Sequence, residues 1–265
     1  MIPRGLAVVT GASSGIGREF AVQLARRGHD LLVVARDGAR LDALGAELRE
    51  KFGIQVEPCV ADLSREHDID RVAGRIAALE HLSLLVNNAG FGTRGTLVEA
   101  DPERQAQMLR LHTMAPMKLT RSALPALLRR KGGAVVNVSS VASFLYSPGN
   151  ANYCATKAYL TTFTEAIAAE LEGTGVHAQA LCPGFTITEF HQRMADRPSN
   201  LPSFMWLTAE SVVRTSLQRA DRGGPAICVP GAGYRILVAL IRLVPRGLLG
   251  RLSRLRRARF GLERG

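Results

Sequence analysis

Short runs of valine, leucine and isoleucine alternate along the chain with longer segments in which apolar residues recur three and four apart. The first kind reads as buried strand and the second as amphipathic helix. Seven strand candidates emerge: LAVVT (6–10), DLLVVA (30–35), QVEPCVA (55–61), LSLLVN (82–87), AVVNVS (134–139), VHAQALC (176–182) and AICVP (226–230). Segments such as REFAVQLARRG, ARLDALGAELREKFG and DIDRVAGRIAALE lie between them, several closed by a C-terminal glycine. This alternation predicts βαβ units, and hence an α/β fold with a doubly wound, parallel, seven-stranded sheet and helices on both faces. Two stretches depart from the pattern. The segment 189–202, EFHQRMADRPSNLP, lacks periodicity and precedes an apolar FMWL, which predicts a mobile flap with a greasy underside. Beyond residue 232 the chain becomes basic and amphipathic, so a catalytic domain over 1–232 and a helical extension over 233–265 are expected.

Charge sharpens that division. Nine arginines stand against one acid, Glu263, from Arg235 onward, so +8 of the net +11 lies there and the preceding 234 residues carry only +3. No finger, zipper or RNP motif accompanies the basic tail, so nucleic acid is not the expected partner. Its longest apolar run, Ile236 to Val244, contains Arg242 and is too short to span a bilayer. Arg235, Arg242 and Arg246, with the stripe Leu248, Leu252 and Leu255, predict one or two amphipathic basic helices broken at Pro245. Such helices dock on their own domain, or lie on an anionic membrane or a partner subunit. The chain's 46% apolar content suits one sizeable core. No apolar run of signal-peptide length precedes the first glycines, and Cys59, Cys154, Cys182 and Cys228 show no CxxC spacing. Reduced buried thiols in a cytoplasmic protein without a metal site follow as expectations.

The residues that carry chemistry cluster at strand ends. Thr10-Gly11-Ala12-Ser13-Ser14-Gly15-Ile16-Gly17 follows a strand and opens a helix. Glycines there let the backbone approach a pyrophosphate, whose charge sits at the positive end of the helix. About twenty residues on, where an acid would take the adenosine ribose hydroxyls, Ala35 and Arg36 stand instead. Arginine suits a 2′-phosphate, so NADP (NADPH) is expected over NAD, although Asp37 next door works against it. Asp62 ends the third strand, where it meets the adenine edge, and Asn87-Asn88-Ala89-Gly90 ends the fourth. Tyr153 and Lys157 are four apart, hence on one helix face. A free tyrosine titrates near 10, and lowering it by about three units takes roughly 4 kcal/mol of phenolate stabilisation, for which a neighbouring ammonium and a positive nicotinamide are the right sources. Ser140, at the end of the fifth strand, donates a hydrogen bond to a substrate oxygen as charge develops on it.

With these motifs in order and at this spacing, the chain resembles the short-chain dehydrogenase/reductase family in its single-domain form, over roughly residues 5–231. The match rests on TGxxxGxG, NNAG, a serine thirteen residues before YxxxK, and Pro183-Gly184 followed by threonine. The resemblance implies a Rossmann-type fold and hydride transfer between NADP(H) and the carbonyl or secondary alcohol of an apolar small molecule, with lipid-like or acyl-chain ketones suggested. It assigns Tyr153 as the proton donor to the alkoxide, Lys157 as the holder of the nicotinamide ribose, and Ser140 as the group polarising the carbonyl. It places cofactor contacts at Gly11, Ser13, Ser14, Gly15, Ile16, Gly17, Arg36, Asp62, Leu63, Asn88, Tyr153, Lys157, Pro183, Gly184, Thr186 and Thr188. It also implies a homodimer or homotetramer, since the fourth and fifth helices commonly pair subunits in that family.

One position departs from the family. Where an asparagine usually contributes its main-chain carbonyl to a water that links the lysine to solvent, this chain has His112. Two readings stand: a tolerated change in a helix near the site, or an imidazole that joins the proton path. The flap residues Phe190, Met194, Phe204, Met205 and Trp206 either line an apolar substrate pocket or pack on the neighbouring helix. Two other classes of function remain, a non-enzymatic dinucleotide sensor and a membrane-surface scaffold. The sensor has no use for Ser140, Tyr153 and Lys157 together, and the scaffold would rest on the tail alone.

Overall fold

The computed structural model describes residues 2–93, 95–189, 202 and 205–244. Through its first half the chain runs β1 (Leu6–Thr10), α1 (Gly15–Arg26), β2 (Asp30–Ala35), α2 (Gly38–Phe52), β3 (Val56–Val60), α3 (Glu66–Ala77) and β4 (Leu82–Asn87). It continues with α4 (Pro102–Leu109), a π-helical turn (Arg110–Met114), α5 (Ala115–Arg130), β5 (Gly133–Val138), a 3₁₀ turn (Val141–Phe144), α6 (Ala151–Glu170) and β6 (Val176–Leu181). The last elements are β7 (Thr186–Ile187), β8 (Leu207–Thr208), α7 (Ala209–Asp221), β9 (Ile227–Cys228) and α8 (Ala232–Leu243). Seven strands form one parallel sheet in the order β3-β2-β1-β4-β5-β6-β9, the Rossmann-type arrangement expected from the alternating pattern. The seventh strand is shorter than AICVP suggests because Pro225 and Pro230, on either side, have no N–H for the ladder.

Both faces of the sheet are covered, and the strands divide their side chains between them by simple alternation. Val9, Leu31, Val33 and Leu84 join Phe20, Leu24 and Leu41 of α1 and α2 in one core. Val8, Leu32, Leu85 and Val135 join Val72, Ile76, Leu119 and Ile167 of α3, α5 and α6 in the other. Burial on both faces is why these strands read as continuous apolar runs. Winding reverses between β1 and β4, so the connections that leave them run to opposite faces of the sheet and open a crevice above their carboxyl ends.

A third, smaller cluster under the C-terminal part unites Ala180, Cys182, Val229, Tyr234 and Val238. Tyr234 Oη accepts from the Phe185 N–H at 3.0 Å and donates to the Met205 carbonyl at 2.8 Å, so α8 is stitched to both ends of the flap. Met205 packs into this cluster, and the Trp206 ring lies 5.6 Å from that of Phe185. β7 and β8 pair in a separate two-stranded sheet that the sequence pattern does not show. Phe190, Met194 and Phe204 of the flap, and Pro245, Arg246 and the leucine stripe of the tail, lie outside the described residues. All four cysteines are buried and unbridged. Among the described residues no cluster of three or more metal-ligating side chains occurs, and no helix is long and apolar enough to cross a membrane.

Candidate active site

The floor of the crevice above β1 and β4 is closed by one threonine and one asparagine. Thr10 Oγ1 accepts from the N–H of Asn88 at 2.9 Å and of Ala89 at 3.1 Å, and donates to the Val86 carbonyl at 3.3 Å. Asn88 Nδ2 returns bonds to the Thr10 and Gly11 carbonyls at 2.9 and 3.2 Å. The two strand ends are therefore clamped without a gap between them. A Cβ at Gly17 would stand 2.2 Å from the Gly11 carbonyl oxygen and 2.4 Å from Asn88 Nδ2, which only hydrogen can occupy.

Above this clamp, Ser14 starts α1 with extended backbone and no side-chain cap, and no acid sits in the first turn. Among the described residues no side chain caps the first N–H groups of α1, as suits a helix end that receives an anion from outside the chain. The loop holding Pro183, Gly184, Thr186 and Thr188 closes the same corner: the Pro183 carbonyl accepts from Val141 N–H at 3.0 Å, and Thr188 lies 3.2 Å from the point where a Cβ on Gly15 would be. Thr186 is buried and spends its hydroxyl on the Gly184 carbonyl at 3.0 Å. Arg36 is exposed at the end of β2. Asp37 caps α2 by accepting from Arg40 N–H at 3.1 Å, and Arg40 reaches across to Glu189 at 2.9 Å. Leu63 is buried. Asp62 Oδ1 accepts from both Ser64 N–H and Ser64 Oγ, at 3.0 and 2.7 Å, which fixes the carboxylate at the strand end. These residues fit a dinucleotide: a backbone cradle that a methyl would fill, an open helix start, and an exposed arginine just past the second strand.

On the far side of β4, the three groups expected to do chemistry meet. Ser140 follows β5 and caps the 3₁₀ turn, its Oγ accepting from Ala142 N–H at 3.1 Å. Tyr153 and Lys157 lie one turn apart on α6. Lys157 is 6% exposed, donates to the Val138 carbonyl at 2.8 Å and stands 5.8 Å from the centre of the Tyr153 ring. Burial lowers its pKa to about 8. Burial also pushes the Tyr153 phenol up to about 12, against a downward pull from the Ser140 hydroxyl bonded to it. In the chain alone, desolvation outweighs the neighbouring hydroxyl and the phenol keeps its proton at neutrality, whereas the lowering expected from the sequence draws on the positive nicotinamide of a bound cofactor as well as on Lys157.

The support around these groups is built from residues that are not among the candidate site residues read from the sequence. Ser139 Oγ donates to the Lys157 carbonyl at 2.8 Å and lies 2.8 Å from Thr161 Oγ1, pinning the middle of α6 to the end of β5. Behind it, Asn87 Nδ2 donates to Asn137 Oδ1 at 2.8 Å, and Asn137 Nδ2 to Thr164 Oγ1 at 2.9 Å. A cavity of ≈ 10 Å³, about one water in size, is bordered by Thr10, Asn87, His112, Pro116, Val138 and Lys157. Among the remaining hydroxyls, Tyr146 and Tyr159 are exposed, and Tyr159 stacks on Phe163 at 5.7 Å, away from the site.

Comparison with known proteins agrees with this geometry. A family profile described as short chain dehydrogenase matches residues 5–198. Over 216 residues the chain is 32% identical to a very-long-chain 3-oxoacyl-CoA reductase of Anas platyrhynchos, covering 80% of this chain and 67% of that one. The chain spans 54–67% of the length of three curated relatives that it matches. A short-chain dehydrogenase from Sphingobium yanoikuyae, solved in complex with NADPH, superposes with a TM-score of 0.80 at 33% identity, covering 98% of this chain and 96% of the other. A bulky-bulky ketone specific alcohol dehydrogenase from Comamonas testosteroni gives 0.76 at 28% identity, with coverage of 100% and 96%.

Proposed function

This chain belongs to the short-chain dehydrogenase family, and on that premise we propose that it is an NADP(H)-dependent oxidoreductase that reduces the carbonyl of an apolar, lipid-like or acyl-chain ketone. The observation that carries the reading is the meeting of Ser140, Tyr153 and Lys157 on the wall of a crevice whose other wall is a glycine cradle. The NADPH in the Sphingobium structure, and the ketone and 3-oxoacyl-CoA named for other relatives, support the cofactor and the substrate class.

Bound NADPH would supply the hydride. It would be held by the turn from Gly11 to Gly17, by Arg36 at the 2′-phosphate, by Asp62, Leu63 and Asn88, by Lys157 at the ribose, and by Pro183, Gly184, Thr186 and Thr188. Ser140 donates a hydrogen bond to the carbonyl oxygen and holds it beside the phenol. Tyr153 passes its proton to that oxygen as negative charge builds there. A phenol at about 12 retains that proton until an alkoxide, a much stronger base, forms next to it. Lys157, protonated below about 8, then stabilises the phenolate that remains.

A panel of carbonyl compounds assayed with NADPH and NADH in parallel tests the reading. NADPH is expected to be preferred, and Arg36→Ala should raise the NADPH KM about tenfold while leaving NADH unchanged. Because Lys157 is lowered, it loses its charge as pH rises, so kcat/KM for reduction should fall above about pH 8. NADPH binding without turnover of any carbonyl would instead favour the dinucleotide sensor.

A second contact is favoured by α8. Ile236, Leu240 and Leu243, at 62%, 57% and 80% exposure, form an outward row beside Arg235 and Arg242, and the basic tail follows. This arrangement supports peripheral contact with an anionic membrane. Full-length protein is expected to pellet with vesicles containing anionic lipid and not with zwitterionic ones, and Leu240→Glu with Leu243→Glu should abolish the difference. Equal pelleting of both proteins with both vesicles would dismiss it.

A further inference from the structure

The proton path from Tyr153 to Lys157 leaves His112 without a part, yet this imidazole is 1% exposed and its ring centre lies 6.0 Å from that of Tyr153. Its position begins with the π-helical turn. Pro116 has no N–H to give the carbonyl four residues back, which is that of His112, and the helix widens there, with Ala115 N–H bonding to Arg110 O. The widened turn carries the His112 ring inward, between the start of α6 and the segment that follows β4.

Both ring nitrogens are committed there, in one sense only. Thr156 Oγ1 donates its single proton to the Tyr153 carbonyl at 3.0 Å, so its bond to His112 Nδ1, also 3.0 Å, is one it must accept. Nδ1 therefore carries the hydrogen. Nε2 accepts from the Phe91 N–H at 3.2 Å, so it must remain bare. A second proton on Nε2 would put two donors face to face, and the Lys157 ammonium nearby opposes a positive ring. Room for the ring depends on residue 90: a Cβ on Gly90 would come within 2.9 Å of Nε2.

We propose that His112 is a positioning residue, a neutral brace that ties the Tyr153–Thr156 turn of α6 to the Gly90–Phe91 segment after β4. It holds the phenol and ammonium in register with the cofactor cradle and carries no proton. This rests on the oxidoreductase reading of Tyr153 and Lys157, and it closes the relay alternative for the imidazole.

The test combines kinetics with ring spectroscopy on the full chain. His112→Ala is expected to lower kcat for a carbonyl substrate about 10- to 100-fold, with NADPH affinity within about twofold. Thr156→Val should cause a similar loss, the double variant should be little worse than either, and both single variants should keep the alkaline limb near pH 8. His112→Asn, whose amide can still donate to Thr156, should recover part of the loss. In ¹⁵N-detected spectra of the histidine rings, with His112 identified by its absence from the Asn variant, the ring should stay neutral and Nδ1-protonated from pH 6 to 9. The brace is overturned if that ring titrates in this range, if the Ala variant retains full kcat, if its limb disappears, or if the single losses multiply. Should His112→Ala fail to fold, Thr156→Val and the spectra still decide. Should the wild type reduce no carbonyl, the oxidoreductase reading falls, while the spectra still judge the ring.

Discussion

Tyr153→Phe is expected to lower kcat for carbonyl reduction by roughly 10³-fold while NADPH affinity stays within about twofold. Only the phenolic oxygen is lost. The ring keeps its edge contact with His112 at 6.0 Å, and Lys157 keeps its bond to Val138. With no proton held beside the developing alkoxide, a water not positioned by the phenol must supply it. Stability should change by about 1 kcal/mol or less, since one hydrogen bond to Ser140 is removed along with the cost of burying the hydroxyl. Steady-state kinetics beside a fluorescence titration of NADPH separates the two effects. Activity within tenfold of wild type would remove Tyr153 from the proton step, and an equal fall in cofactor affinity would make its role one of binding.

The second large effect belongs to Gly17→Ala. The added methyl cannot be accommodated by a side-chain rotation, because the nearest atom is the Gly11 carbonyl oxygen of the same turn, at 2.2 Å, followed by Asn88 Nδ2 at 2.4 Å. Relief requires that the turn open or that the clamp between β1 and β4 break, and both move the N–H groups that would face the pyrophosphate. The gain in helix propensity from alanine is about 1 kcal/mol, and overpacking costs about 1–3 kcal/mol, so a modest net destabilisation is expected. NADPH affinity should fall at least 100-fold, because the binding surface itself is displaced. Gly74, exposed in α3 with nothing within 4 Å of its missing Cβ, supplies the opposite sign: Gly74→Ala should leave affinity unchanged and raise stability by about 0.5–1 kcal/mol. Denaturant midpoints and NADPH titrations of the two variants check the pair. Equal affinities for Gly17→Ala and wild type would mean that the turn is not the cofactor cradle.

Much of the site could be read before the fold was seen, because its chemistry depends on local spacing. A spacing of four places Tyr153 and Lys157 on one helix face whatever surrounds the helix, and Ser140 closely follows a strand whose apolar run is unambiguous. Thr10 is visible as the first residue of the glycine motif, and Ser139 as the last residue of a strand run. Their work is not, since a hydroxyl that clamps two strand ends or pins a helix has the same sequence signature as one facing solvent. The flap shows the same boundary. β7 and β8 are two residues each and far apart in the chain, too short for any period to register.

What the sequence by itself determined is whatever follows from periodicity and spacing: a parallel sheet covered on both faces, a glycine turn at the start of a helix, and a serine, tyrosine and lysine fit for proton transfer. Tertiary structure decided the strand order, the burial of the Tyr153 phenol and the partners of the His112 ring. Each of these depends on which atoms from distant parts of the chain come within a few ångströms, and on how much water they exclude. Desolvation, invisible in a list of residues, is what raises the Tyr153 phenol to about 12 in the chain alone.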